Sequence, residues 1–139
     1  MTTEEFTNKL KEYDCIDEFM LENANRFEED AFNQFVGDML DRKGITIAKL
    51  ANDTGISVPY AYDLFKGRKT SPKKDMLIRL AFGLNLSLGE TNRLLTLGGV
   101  SELRSKVRRE SIIIFCINKG YSILETDDIL DQYNLQSIR

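Results

Sequence analysis

Apolar positions along this chain recur three and four residues apart, and no strict apolar–polar alternation persists, so the pattern predicts helices throughout. Phe6, Leu10, Ile16, Phe19 and Met20 form the apolar stripe of one or two amphipathic, acidic helices over residues 3–13 and 15–24. Phe32, Phe35, Val36, Met39 and Leu40 share one face of a helix predicted over 31–43, and Gly44 stands where a left-handed residue would end it. Only two prolines occur, which leaves these stretches unbroken.

The stretch from Thr46 to Gly67 reads T-I-A-K-L-A-N-D-T-G-I-S-V-P-Y-A-Y-D-L-F-K-G. Thr46 can cap a helix whose inner face is Ile47, Leu50 and Ala51. Gly55 then supplies the left-handed turn, Ile56 plugs it, and Ser57 can cap a second helix with Ala61, Leu64 and Phe65 on its apolar side. Pro59 falls in that helix's first turn, where a missing N–H costs nothing. Two helices joined by a short turn containing glycine make a helix-turn-helix, a motif whose second helix enters a DNA major groove. A basic loop over Gly67–Pro72 follows.

Beyond it the chain repeats at an offset of 35 residues. Residues 73–97 read K-K-D-M-L-I-R-L-A-F-G-L-N-L-S-L-G-E-T-N-R-L-L-T-L, and 108–132 read R-R-E-S-I-I-I-F-C-I-N-K-G-Y-S-I-L-E-T-D-D-I-L-D-Q. Each copy opens on two bases and an acid, Lys73, Lys74 and Asp75 or Arg108, Arg109 and Glu110. An apolar helix follows, then Asn85 or Gly120 at a left-handed cap, then Ser87 to Thr91 or Ser122 to Thr126, an S-x-x-E-T capping box. Each copy therefore predicts a helical hairpin. The second, with Ile112, Ile113, Phe115 and Ile117, needs a partner surface, most naturally the first hairpin or the N-terminal helices.

Composition narrows the function. A chain of 139 residues with 42% hydrophobic content can bury a core as one domain, or one small domain with extensions. The longest wholly apolar run is Ile112–Ile117, too short for a membrane span, and the acidic start M-T-T-E-E-F is no secretory signal. Cys15 and Cys116, 101 positions apart, lack metal-ligand spacing and read as reduced, buried filler, which suits a cytoplasmic protein. There is no histidine, which removes the commonest general base and the usual nucleophile pairs. No phosphate-cradling glycine motif is present, and Gly98-Gly99 reads as a helix end. The expectation is a protein that is not an enzyme and holds neither cofactor nor metal.

Charge is segregated. Residues 1–43 carry 5 basic and 12 acidic side chains (net −7), residues 44–120 carry 13 and 6 (net +7), and residues 121–139 carry 1 and 4 (net −3). A basic centre coinciding with the helix-turn-helix suits a phosphate-facing surface. Its acidic flanks would dock on another protein or shade the basic face.

The candidate nucleic-acid site follows. Five of the nine residues from Lys66 to Lys74 are basic: Lys66, Arg68, Lys69, Lys73 and Lys74. They are the phosphate candidates, with Arg68 and Lys69 foremost. Thr46 and Ser57, at the starts of the two motif helices, belong to the candidate DNA-binding set. Val58, Pro59, Tyr60, Tyr62, Asp63 and Lys66 are the outward positions from which base edges could be reached. No Arg, Asn or Gln is among them, so bidentate reading of G or A is missing. Tyr60 and Tyr62 can meet phosphate or a thymine methyl, and Asp63 can accept from a cytosine amino group. The alternative is an adaptor in which Val58, Pro59, Tyr60 and Tyr62 dock on a protein, tyrosine being enriched at such contacts.

With those residues in place, 32–97 resembles the Cro and lambda-repressor-like helix-turn-helix family, also called the xenobiotic-response-element family. The marks are Leu50-Ala51, Gly55-Ile56-Ser57, Leu64, Gly67, Pro72, Leu77, Leu80-Ala81 and Leu86. The resemblance implies an all-α, five-helix DNA-binding domain, usually dimeric on palindromic operators. It departs at Ile47, where relatives often have Gln, at Tyr62, where a small polar residue is common, and at Asp63, where a basic or polar one is. The stretch Y-x-L-F-x-G-R-K-x-S-P, then L-A-F-G-L and R-R-x-x-I-I, also resembles small bacterial helix-turn-helix proteins with helical extensions at both ends. The expected organisation is an acidic helical extension over 1–30, a helix-turn-helix domain over 31–99, and a C-terminal hairpin over 100–139 packed on it. The expected function is a transcriptional regulator with double-stranded DNA as partner, a protein partner or second copy engaging the terminal helices, and no membrane.

Overall fold

Short helices with strong end signals dominate the chain. The computed structural model describes residues 2–24, 26–66 and 72–139, and among these it holds nine α-helices and no strand. They are α1 (Thr3–Leu10), α2 (Ile16–Glu22), α3 (Glu28–Lys43), α4 (Ile47–Thr54), α5 (Val58–Phe65), α6 (Lys74–Gly83), α7 (Leu88–Leu97), α8 (Arg108–Lys119) and α9 (Ile123–Gln132). Helices this short are marginal alone, so caps and packing hold them. Complete capping boxes open α1 (Thr2 with Glu5), α7 (Ser87 with Glu90) and α9 (Ser122 with Glu125). The α3 helix starts at Glu28, ahead of the expected 31, because its opening residues are polar and carry no apolar signal.

One apolar core runs from Phe32, Val36, Met39 and Leu40 of α3 through Leu50, Leu64, Leu77, Leu80 and Leu94 to Ile113, Leu130 and Ile138. The α4 helix packs on α5 and α6, α3 on α5 and α7, and α8 on α7 and α9. The C-terminal hairpin thus shares the core of the helices before it. The α4 and α6 helices pack tightly at Gly83, where a Cβ would meet Thr54 Cγ2 at 2.5 Å and Leu50 Cδ1 at 2.6 Å.

The N-terminal helices hold a separate aromatic cluster, in which Phe19 lies against Phe6, Tyr13 and Phe27. Asn23, fully buried, ties it together: its Nδ2 donates to the Phe19 carbonyl, and its Oδ1 accepts from Lys9 and Arg26. The expected stripe is only partly inward. Phe19 is buried, but Leu10 (41% exposed), Ile16 (60%) and Met20 (48%) face outward, because α2 is only seven residues long and meets α1 through its Phe19 side. The cysteines part company likewise. Cys116 is buried and its thiol is pushed up by desolvation, whereas Cys15 is exposed at the extended position before α2, not filler.

The 35-residue repeat is structural and longer than the sequence match. Asn85 (φ 54°) corresponds to Gly120 (φ 73°), and Gly99 (φ 82°) to Asn134 (φ 57°). Leu86 N donates to Ala81 O as Tyr121 N does to Cys116 O, both at 3.0 Å. Past each hairpin, Leu103 N donates to Asn92 Oδ1 (3.0 Å) and Ile138 N to Asp127 Oδ1 (2.7 Å), and both apolar side chains plug the core.

Candidate nucleic-acid interface

The helix-turn-helix is built as its residues dictate. Thr46 Oγ1 accepts from Lys49 N (3.1 Å) at the start of α4, and Ser57 Oγ accepts from Tyr60 N (3.3 Å) at the start of α5. Gly55 at φ 74° ends α4, and Ile56, 7% exposed, closes the turn with its N–H on Ala51 O. Both capping hydroxyls are on exposed residues and keep a hydrogen to donate to a phosphate oxygen. Leu50, Ala51, Ala61 and Leu64, all buried, fix the two helices on each other and on α3 and α6.

This packing decides which side of α5 is available. Pro59, Tyr62 and Lys66 are exposed and share one helical face. Lys66 Nζ lies 5.8 Å from the Tyr62 ring centroid, so cation and phenol form one unit. Asp63 is half-buried beside them. Val58 and Tyr60, placed outward by the sequence reading, are half-buried and pack against the core instead.

The basic segment divides too. Arg68 and Lys69 lie outside the described residues. Lys73 is exposed immediately before α6, and its side chain makes no capping bond there. Lys74 corrects the expectation of five free phosphate cations. Its ammonium donates to Ser101 Oγ (2.9 Å), the Glu102 carbonyl (3.2 Å) and Glu110 Oε2 (3.1 Å), which occupy its three hydrogens.

That contact is half of a reciprocal arrangement the sequence reading did not foresee. Arg109, 35 residues after Lys74, forms a two-pronged pair with Asp75 (2.9 Å on each arm) and donates to the carbonyls of Gln136 and Ser137. Each copy's cation holds the tail of its own hairpin and pairs with the acid of the other copy. The signal was present in the matched base-base-acid openings, but their pairing across copies cannot be read from one copy alone. Near α7, Glu90 accepts from Ser87 N and its carboxyl is held below the ordinary range, chiefly by that bond.

No helix among the described residues is long and apolar enough to cross a membrane. No curated protein and no solved structure matches the chain. Residues 38–90 match a family described as helix-turn-helix, a span reaching from the last turns of α3 to the first turn of α7. The all-helical architecture of the described residues and the motif geometry agree with that match: over those residues the chain is similar to Cro/C1-type helix-turn-helix proteins, a family of DNA-binding regulators.

Proposed function

We propose that the protein regulates transcription by laying α5 in the major groove while cations around its C-terminal end neutralise phosphates. The carrying observation is the exposed Pro59, Tyr62 and Lys66 face of α5, held rigid by Ala61 and Leu64 on its other side. The phosphate set is Thr46, Ser57, Lys66, Arg68, Lys69 and Lys73. Lys74, engaged elsewhere, leaves it.

Base reading on this face is sparse. Tyr62 meets a thymine methyl or a phosphate, and Asp63 accepts from a cytosine amino group. Affinity therefore comes mostly from phosphate contacts, with modest sequence preference. The adaptor reading loses ground, since two of its four residues, Val58 and Tyr60, are committed to packing.

Selection of binding sites from a random duplex pool tests the arrangement. Tyr62→Ala and Asp63→Asn should change the preferred base at one or two positions. Lys73→Ala should weaken all duplexes alike and lower the salt slope by about 1. A preference untouched by both α5 substitutions would remove α5 from the groove.

A further inference from the structure

One exchange between the two copies of the repeat leaves a cation without an acid. In the second copy, Asp127 accepts from Ile138 N through Oδ1 (2.7 Å) and holds Arg139 through Oδ2 (3.6 Å). In the first copy Asn92 stands at the matching position. Its Oδ1 accepts from Leu103 N in the same way, but an amide carries no charge with which to hold the next residue, Arg104. Arg104 is exposed, and its guanidinium makes no hydrogen bond or ion pair with the described residues.

The same comparison singles out Arg108, the counterpart of Lys73. Both are exposed, and each stands next in sequence to a cation of the cross-copy pairs, Arg109 and Lys74. Lys106 is exposed between Arg104 and Arg108. The segment that carries these cations is tied to the start of α6. Lys74 Nζ donates to Ser101 Oγ and Glu102 O, and Glu110 accepts from Lys74 Nζ through Oε2 and from Arg104 N through Oε1 (2.7 Å). Buried Leu103 and the Val107 N–H on Arg104 O complete the anchorage. A backbone held this way presents its cations at little ordering cost.

The cross-copy pairs also consume acids, since Arg109 holds Asp75 and Lys74 holds Glu110. Glu102 is the single acid of residues 100–108, against the exposed Arg104, Lys106 and Arg108 and, beside them, Lys73. Lys73 in turn closes the basic stretch that begins at Lys66 on the open face of α5. We propose that Arg104, Lys106 and Arg108 form a second phosphate-binding surface, which with Lys73 holds the backbone of the duplex on which α5 docks. The proposal rests on the DNA-binding reading above and carries it to a segment outside the matched residues 38–90. Three cations within five residues suit a polyanion, and residues 100–108 hold no aromatic ring to stack on a base, so the contact is to phosphate and independent of sequence.

Fluorescence anisotropy of a random duplex of about 30 base pairs, titrated with the full chain over a salt series, reads the number of phosphates engaged. Arg104→Gln, Lys106→Gln and Arg108→Gln together should make the slope of log affinity against log salt about 2–3 shallower, and each alone about 1. Arg104→Lys with Arg108→Lys keeps both charges and should keep the parent slope. Lys11→Gln with Lys119→Gln, which removes two exposed cations outside the junction, should keep it too. Helical circular dichroism should be the same in every variant. If the parent chain binds but the glutamine variants share its slope, or the Lys11 and Lys119 control loses as much per charge, this surface is overturned and the DNA-binding reading stands. A parent chain that binds no DNA at low salt overturns both.

Discussion

At the scale of single residues, the charged node between the two hairpins is where this chain is most exposed to mutation. Arg109 gives up two prongs on Asp75 and two backbone carbonyls when truncated, so Arg109→Ala should cost about 1–3 kcal/mol in urea denaturation. Arg109→Lys should recover only part of that, because an ammonium cannot reproduce the fork. Gly83 and Asn118 form an internal control at matched positions of the repeat. Gly83→Ala drives a methyl into Leu50 and Thr54 and should destabilise by about 1–3 kcal/mol, whereas Asn118→Ala should stay within about 0.5 kcal/mol. Glu90 carries a pH signature. Its carboxyl is depressed in the folded state, so its contribution is present at neutral pH and is lost as pH falls through the lowered value. Glu90→Gln should therefore lower the denaturation midpoint at neutral pH and converge with the parent chain in acid.

At the scale of elements, the caps are the features the sequence states most plainly. Thr46, Gly55 and Ser57 do in the structure what their types and spacing imply, because capping is local chemistry that needs no tertiary information. Thr46→Ala and Ser57→Ala should each cost about 1 kcal/mol of stability, measured by chemical denaturation. What was not legible is which faces find partners. Helical spacing put Ile16 and Met20 on an apolar stripe but could not show that α2 is too short to bury them. It put Val58 and Tyr60 outward on α5, where both are half-buried against the core. The reach of the repeat to Leu103 and Ile138 escaped notice because Asn92 and Asp127 play the same part with different side chains.

At the scale of the whole molecule, charge segregation and fold tell one story. The basic stretch of net +7 over residues 44–120 contains the helix-turn-helix, while the acidic N-terminal stretch, net −7, divides between the aromatic cluster of α1 and α2 and the helix α3 that joins the main core. Part of that basic charge is internal wiring, since Lys74 and Arg109 serve the hairpins, and the surface share is smaller than the count implies. The central claim is that what remains faces DNA. Fluorescence-anisotropy titration of random duplex DNA at about 50 and 200 mM salt tests it most directly, with the Arg68→Ala, Lys69→Ala double variant alongside. Micromolar or tighter binding that collapses with salt is predicted, with a slope about 2 shallower in the double variant. Absence of binding at low salt, or a slope the two alanines leave unchanged, would contradict the account.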